Sequence, residues 1–177
     1  MTIGVAAVAL PAETRHERFA TVVRAHQSMV FSIAFHFLRS RDKAEEIAQE
    51  VFLQLYRSGA DLSTEAHVTF WLRKVACHRA IDFARKRKFE SSIALEDVPE
   101  PSASDANEDP WLGRRIRALM ASLPETPRMV MVLRYQEELM PEEIARVLEM
   151  PVRTVKSHLQ RSLAMLREKF DRTAGSL

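Results

Sequence analysis

Residues 141–159 read PEEIARVLEMPVRTVKSHL and predict two short helices joined by a tight turn. Pro141 suits the first position of a helix, and the two glutamates after it favour the positive end of the helix dipole. Met150 and Pro151 break this helix, and Val155 and Leu159 face inward from the next one. Because Ala145 is small, it lets the two helices cross closely. The pattern is typical of a helix-turn-helix, although other helical hairpins share it.

The second helix of this pair has a polar and basic outer surface. In a helix-turn-helix, the N-terminal half of the second helix enters the major groove of DNA. Lysine and arginine can bond guanine there, and glutamine can pair with adenine. The candidate DNA-contacting side chains are Arg153, Thr154, Lys156, Ser157, His158, Gln160 and Arg161.

Apolar residues recur at steps of three and four through most of the chain, which predicts an all-α fold. Before residue 89 the pattern predicts helices over about 15–39, 42–57 and 65–88, with Asp42 as the N-cap of the second. Helical spacing resumes at Trp111 and continues to the last helix. In that helix Val152, Val155, Leu159, Leu163 and Leu166 form the expected apolar face.

Residues 89–110 interrupt the helical pattern. They hold seven acidic residues, three prolines and four serines, with no lysine or arginine. Such a segment cannot bury enough apolar area to offset the entropy of ordering it, so it is expected to be a flexible acidic linker. The chain is therefore predicted to form two small helical domains, the second of which contains the helix-turn-helix. The expected divisions are a disordered arm at 1–13, a first domain at 14–88, the linker at 89–110, a second domain at 111–171 and a tail at 172–177.

Charge is segregated along the chain, although the 177 residues carry a net charge of only +2. Residues 70–88 carry a net charge of +6, and residues 151–170 carry +4. Two basic helices in separate domains suggest two contacts with one polyanion. The helix over 42–50 is instead acidic, with a net charge of −3.

Other functional classes lack their sequence signals. The six histidines have no metal-ligand spacing, and there is no glycine-rich phosphate loop or nucleophile elbow, so no catalytic residue, metal or cofactor is expected. Cys77 is the single cysteine and is expected to be a small buried residue. No apolar run reaches the roughly 18 residues that span a bilayer. The apolar start lacks a preceding basic residue, so a cytoplasmic protein without membrane insertion is expected.

Several segments resemble bacterial sigma factors. Residues 122–134, together with Glu142–Ala145 and Thr154–Ser157, are similar to sigma region 4. Asp42–Phe52 resembles region 2.2, and Phe70–Arg85 resembles regions 2.3 and 2.4. Domains 2 and 4 joined by a short linker, with no domain 3, are the pattern of the extracytoplasmic-function group.

This resemblance implies a sigma factor that binds core RNA polymerase and directs promoter-specific transcription initiation. Domain 2 would bind the β′ clamp coiled coil through Asp42, Glu46, Gln49 and Glu50, and its loop near residues 58–67 would capture a base flipped from the opened −10 element. Domain 4 would read the −35 element as a duplex and contact the β flap. An anti-sigma factor is a further implied partner. The implied −10 residues are His78, Arg79, Asp82, Arg85, Lys86, Arg87 and Lys88.

The sequence also departs from the family pattern. His78 stands where asparagine is common, and His158 stands where arginine is common. Glu149 and Arg153 occupy positions where glycine is frequent. Two other classes stay open at this point. A different helix-turn-helix transcriptional regulator would leave the region 2 resemblance unexplained, and a pure interaction module such as an anti-sigma protein would not need a basic recognition helix.

Overall fold

A computed structural model describes residues 15–58, 64–93 and 110–174. Within these ranges the chain forms seven α-helices and no strand, which confirms the all-α prediction. The predicted N-terminal arm, most of the loop after the second helix, residues 94–109 of the predicted linker and the last three residues lie outside the described ranges. The helices are α1 (Arg15–Leu38), α2 (Arg41–Ser58), α3 (Glu65–Ile93), α4 (Pro110–Ala121), α5 (Glu125–Tyr135), α6 (Pro141–Val147) and α7 (Val152–Ala174).

Helices α1, α2 and α3 pack against one another through the faces that the periodicity predicts. Ile33 and Phe37 of α1 are fully buried, as are Val51 of α2 and Leu72 of α3. His26, on the apolar face of α1, is also buried. Burying a large apolar side chain contributes about 1.5–3 kcal/mol, so this shared core holds the three helices together.

Three details of the prediction were wrong. Helix α2 begins at Arg41, so Asp42 lies in its first turn and is not the N-cap. Helix α3 continues to Ile93, five residues into the segment assigned to the linker. In α7, Leu163 is 46% exposed whereas Ser162 is 2% exposed, because the packing turns the serine inward.

Helices α5, α6 and α7 build the second half around the apolar positions of the helix-turn-helix. Met129, Leu133, Ile144 and Val155 have no exposed surface. Helix α4 lies against α7, where Arg115 donates a 2.6 Å hydrogen bond to the carbonyl of Phe170.

The two halves also pack against each other, which the sequence did not predict. Helices α1 and α3 contact α5, and α3 also contacts α6. The guanidinium of Arg128 lies 4.7 Å from the centre of the Phe37 ring, and the Ser32 hydroxyl donates a 3.0 Å hydrogen bond to Glu137. As a result, the buried residues of both halves form one continuous apolar cluster.

Candidate nucleic-acid and protein interfaces

The helix-turn-helix is built from α6, a short turn and the start of α7. Glu143 accepts a 2.8 Å hydrogen bond from the backbone N–H of Met140, which satisfies one free donor at the start of α6. At the other end, Glu149 adopts a left-handed conformation with φ of 52°, and the Met150 N–H reaches back 3.0 Å to the carbonyl of Ala145. This closes α6 as left-handed caps commonly do, although glycine is the usual residue there.

The predicted −35 residues form a continuous surface along the first three turns of α7. Arg153, Lys156, Gln160 and Arg161 are exposed, while the rest of the set is half-buried. Lys156 Nζ lies 3.2 Å from Glu142 on α6, so this lysine is already oriented by a carboxylate of the preceding helix. A hydrogen bond from the backbone at the start of α6, followed by the hydrogen bond from Lys156, holds the pKa of Glu142 below its usual value. Thr154, Ser157 and His158 complete the predicted set.

His158 contributes less positive charge than an arginine at the same place would. Burial lowers the pKa of its imidazole, and the neighbouring Arg161 guanidinium lowers that pKa further. A histidine whose pKa falls below 6.5 is mostly neutral at pH 7. Its ring can therefore act as a hydrogen-bonding group in this surface without adding a full charge.

The predicted −10 residues lie along the C-terminal half of α3, and their side chains point in different directions. Arg85, Lys86 and Arg87 are exposed and form a basic end to the helix. Asp82 lies 4.0 Å from Arg85. Of the remaining members, His78 lies near Glu149 in the turn after α6, Arg79 lies near Glu50 of α2, and Lys88 lies near Glu125 of α5.

Helix α2 carries the predicted polymerase-binding residues on an exposed face. Asp42, Glu46, Gln49 and Glu50 are all exposed. Glu46 accepts a 2.7 Å ion-paired hydrogen bond from Lys43. Glu50 lies 3.7 Å from Arg79 of α3. This pair places the predicted polymerase-binding residues of α2 next to the predicted −10 residues of α3.

Sequence reasoning missed a group of carboxylates that face α3 from the second half. Lys74 donates a 2.8 Å hydrogen bond to Glu149, and His78 Nε2 lies 3.9 Å from the same carboxylate. Lys88 lies 3.6 Å from Glu125 at the start of α5. The only signal in the sequence was the glutamate at position 149 where the family often has glycine. The basic face of α3 therefore meets protein carboxylates in this structure.

Within the described ranges, no group of three or more histidine, cysteine, aspartate or glutamate residues is placed to hold a metal ion. Cys77 is buried, as expected, and burial raises the pKa of its thiol far above the usual range. None of the described helices is long and apolar enough to cross a membrane.

Comparisons with known proteins match both halves of the chain. The family described as "Sigma-70 region 2" matches residues 22–90, and "Sigma-70, region 4" matches residues 113–166. The chain is 28% identical over 171 residues to the ECF RNA polymerase sigma factor SigW of Bacillus subtilis, covering 87% of this chain and 89% of the relative. It is 26% identical over 155 residues to the sigma factor SigV of the same organism, covering 88% and 92%.

Solved structures share the fold. The sigma factor RpoE of Bartonella quintana, determined in complex with the anti-sigma factor NepR, superimposes with a TM-score of 0.70 at 16% identity. That comparison covers 86% of this chain and 96% of RpoE. CnrH, determined in complex with the cytosolic domain of CnrY, gives a TM-score of 0.61 at 18% identity over 87% of this chain and 88% of CnrH.

Proposed function

The chain belongs to the extracytoplasmic-function group of the sigma-70 family, whose members direct promoter-specific transcription initiation, and from this premise we propose how its surfaces divide that work. Helix α7 reads the −35 element, α3 engages the −10 element, and the acidic face of α2 docks on core RNA polymerase. The chain supplies binding surfaces, and the polymerase supplies the chemistry. The observation that carries this proposal is that one sigma fold presents an exposed acidic face on α2 and basic exposed surfaces on α3 and α7.

The role of α7 follows from the exposed surface at its start. Lys156, Gln160 and Arg161 are exposed at positions that a recognition helix presents to base edges. Arg153 precedes them near the helix start, where a phosphate contact would fix the register of the motif. The buried Val155 holds the opposite face of this helix against the rest of the second half.

The role of α3 follows from its charge. The exposed basic end of α3, together with Lys88, would hold the phosphates of the −10 region, and His78, Arg79 and Asp82 lie further back on the same helix. Contacts with phosphates are sequence-independent and depend strongly on salt. We therefore assign the 85–88 cluster mainly to holding the promoter strand, with the family loop near residues 58–67 as the site of base capture.

The role of α2 in docking is tested by charge reversal. Glu46→Lys should weaken binding to core polymerase because it inverts the charge of a surface that would face a basic partner. Glu50→Lys should add to the effect, but Glu50 also lies 3.7 Å from Arg79, so the single Glu46 variant is the cleaner test.

The measurement is the affinity of the full chain for core polymerase, with circular dichroism to verify the helices. A matched control is Glu168→Lys, which reverses an exposed carboxylate paired with Arg172 on the distant α7 helix. Core affinity that is unchanged in the Glu46 variant, or reduced equally in the Glu168 control, would remove α2 as the docking surface.

A second candidate function is that of a helix-turn-helix regulator that binds DNA alone. It accounts for residues 141–159 but gives no role to the first half of the chain. Under our proposal the chain binds promoters tightly only with core polymerase, because the polymerase bears the entropy of fixing the spacing of two domains. Tight and specific promoter binding by the isolated chain at physiological salt would favour the regulator instead.

Three further assignments belong to the same proposal. Both solved relatives were determined with a second protein, an anti-sigma factor in the case of RpoE. We infer that this chain also has an anti-sigma partner, that domain 4 contacts the β flap, and that the chain acts in the cytoplasm with RNA polymerase. Co-purification of the chain from bacterial lysate with core polymerase and with a second small protein would test this assignment.

A further inference from the structure

The turn of the helix-turn-helix is tied directly to the basic α3 helix. Glu149 is placed so that one carboxylate oxygen accepts the hydrogen bond from Lys74 while the other faces His78. The Lys74 ammonium holds the pKa of this carboxyl below its usual value, so Glu149 is ionised at neutral pH. The contact joins residues 75 positions apart in the chain and so can only form when the two halves are packed together.

Glu149 is an unfavourable choice for the local backbone. Its φ of 52° lies in the left-handed region, which glycine adopts easily and residues with a Cβ do not. Glycine would therefore be more favourable than glutamate for the backbone conformation of this turn. What the glutamate adds is the ionic contact with Lys74, which no glycine could make.

The closed packing is incompatible with reading both promoter elements at once. Elements centred about 25 base pairs apart lie roughly 85 Å apart along straight B-DNA, at 3.4 Å per base pair. In the closed chain the helix-turn-helix turn touches α3 at a distance of 2.8 Å. The 17 peptide units from Ile93 to Pro110 can span at most about 60 Å, which is enough to let the two halves separate.

We propose that Glu149 acts together with the apolar contact between the halves as a latch, its ion pair with Lys74 favouring a closed form in which the free chain cannot engage a promoter. This inference rests on the proposed function. The exposed acidic face of α2 lies outside the contact between the halves, so the closed chain can still dock on core polymerase. Opening then exchanges the Glu149–Lys74 contact for contacts with promoter DNA.

The state of the latch can be measured without polymerase or DNA. Because Cys77 is fully buried, cysteines introduced at the exposed Ala25 of α1 and Ala164 of α7 can be labelled selectively with a donor and an acceptor dye. Energy transfer in the full chain then reports the closed form. Glu149→Gln should shift the equilibrium toward the open form by about two- to fivefold, the scale of an exposed ion pair, and added salt should have the same effect in the wild type.

Variants at the other end of the contact separate opening from local charge effects on DNA binding. Glu149→Gln removes a negative charge and Lys74→Gln removes a positive one, so their direct effects on DNA affinity are opposite. As latch variants, both should lower energy transfer and both should raise transcription at limiting sigma concentration. The exchange Lys74→Glu with Glu149→Lys should restore the closed form, and Glu168→Gln serves as the control that changes neither readout.

Each outcome decides one part of the inference. Unchanged energy transfer in both single variants would refute the latch. Opening without any gain in transcription would refute its inhibitory role. If the wild-type chain and the variants all fail to support transcription, the proposed function fails, while the energy-transfer result still decides the latch.

Discussion

Replacing Ile144 by alanine should destabilise the helix-turn-helix by about 3–4 kcal/mol. Ile144 has no exposed surface and lies in the continuous apolar cluster of the structure. The substitution removes three carbon atoms, which corresponds to about 2.4 kcal/mol at roughly 0.8 kcal/mol per buried CH₂. A residual cavity of about 40 Å³ would add about 1 kcal/mol at 24 cal/mol per Å³. The sum lies within the range of about 2–5 kcal/mol observed for such changes.

Urea denaturation followed by circular dichroism measures this loss as a change in the free energy of unfolding. Two matched variants calibrate it. Ile144→Val should cost about 1 kcal/mol because it removes one carbon. Ile116→Ala makes the same chemical change at a residue that is 48% exposed, and it should cost about 1 kcal/mol. If Ile144→Ala costs no more than these controls, Ile144 does not pack in the core as described.

Three further predictions concern recognition, pH and the cysteine. Lys156→Ala or Arg161→Ala should cost about 1–3 kcal/mol of promoter binding and relax the preference at one or two −35 positions. Neutralising residues 85–88 should instead weaken binding to all promoter variants and flatten its salt dependence; transcription from a panel of single-base variants distinguishes the two patterns. Burial raises the pKa of Glu137 above its usual value, so the folded state favours the protonated side chain. The stability gained from this protonated form is present at low pH and is lost as pH rises through the raised pKa. Glu137→Gln should therefore stabilise the chain relative to wild type at pH 7 but not near pH 4. Thermal denaturation at the two pH values measures this difference, and an equal change in melting temperature at both would contradict the prediction. Cys77 should not react with a thiol reagent at pH 8 until urea unfolds the chain, and rapid labelling of the native protein would contradict its burial.

The local pattern of apolar residues was sufficient to predict the helices, because the buried face of an α-helix recurs every 3.6 residues along the sequence. The spacing of Ile33 and Phe37 predicted a buried face of α1, and both are buried. The helix-turn-helix could also be predicted from local sequence. A proline at the start of its first helix, a small residue where the helices cross and a second proline in the turn are all close together in the chain. The roles of the exposed residues on α2, α3 and α7 remain predictions that rest on charge and on family resemblance.

Only the tertiary structure decided which charges meet. From the sequence, Lys88 was expected to contact the promoter and Glu149 was a departure from the family pattern, and no link between α3 and the second half was predicted. In the structure Glu149 bonds Lys74 across 75 residues, and Lys88 lies 3.6 Å from Glu125. An ion pair leaves no period in the sequence, because any exposed carboxylate can pair with any exposed amine. Which of them do so is determined by how two packed halves bring their surfaces together.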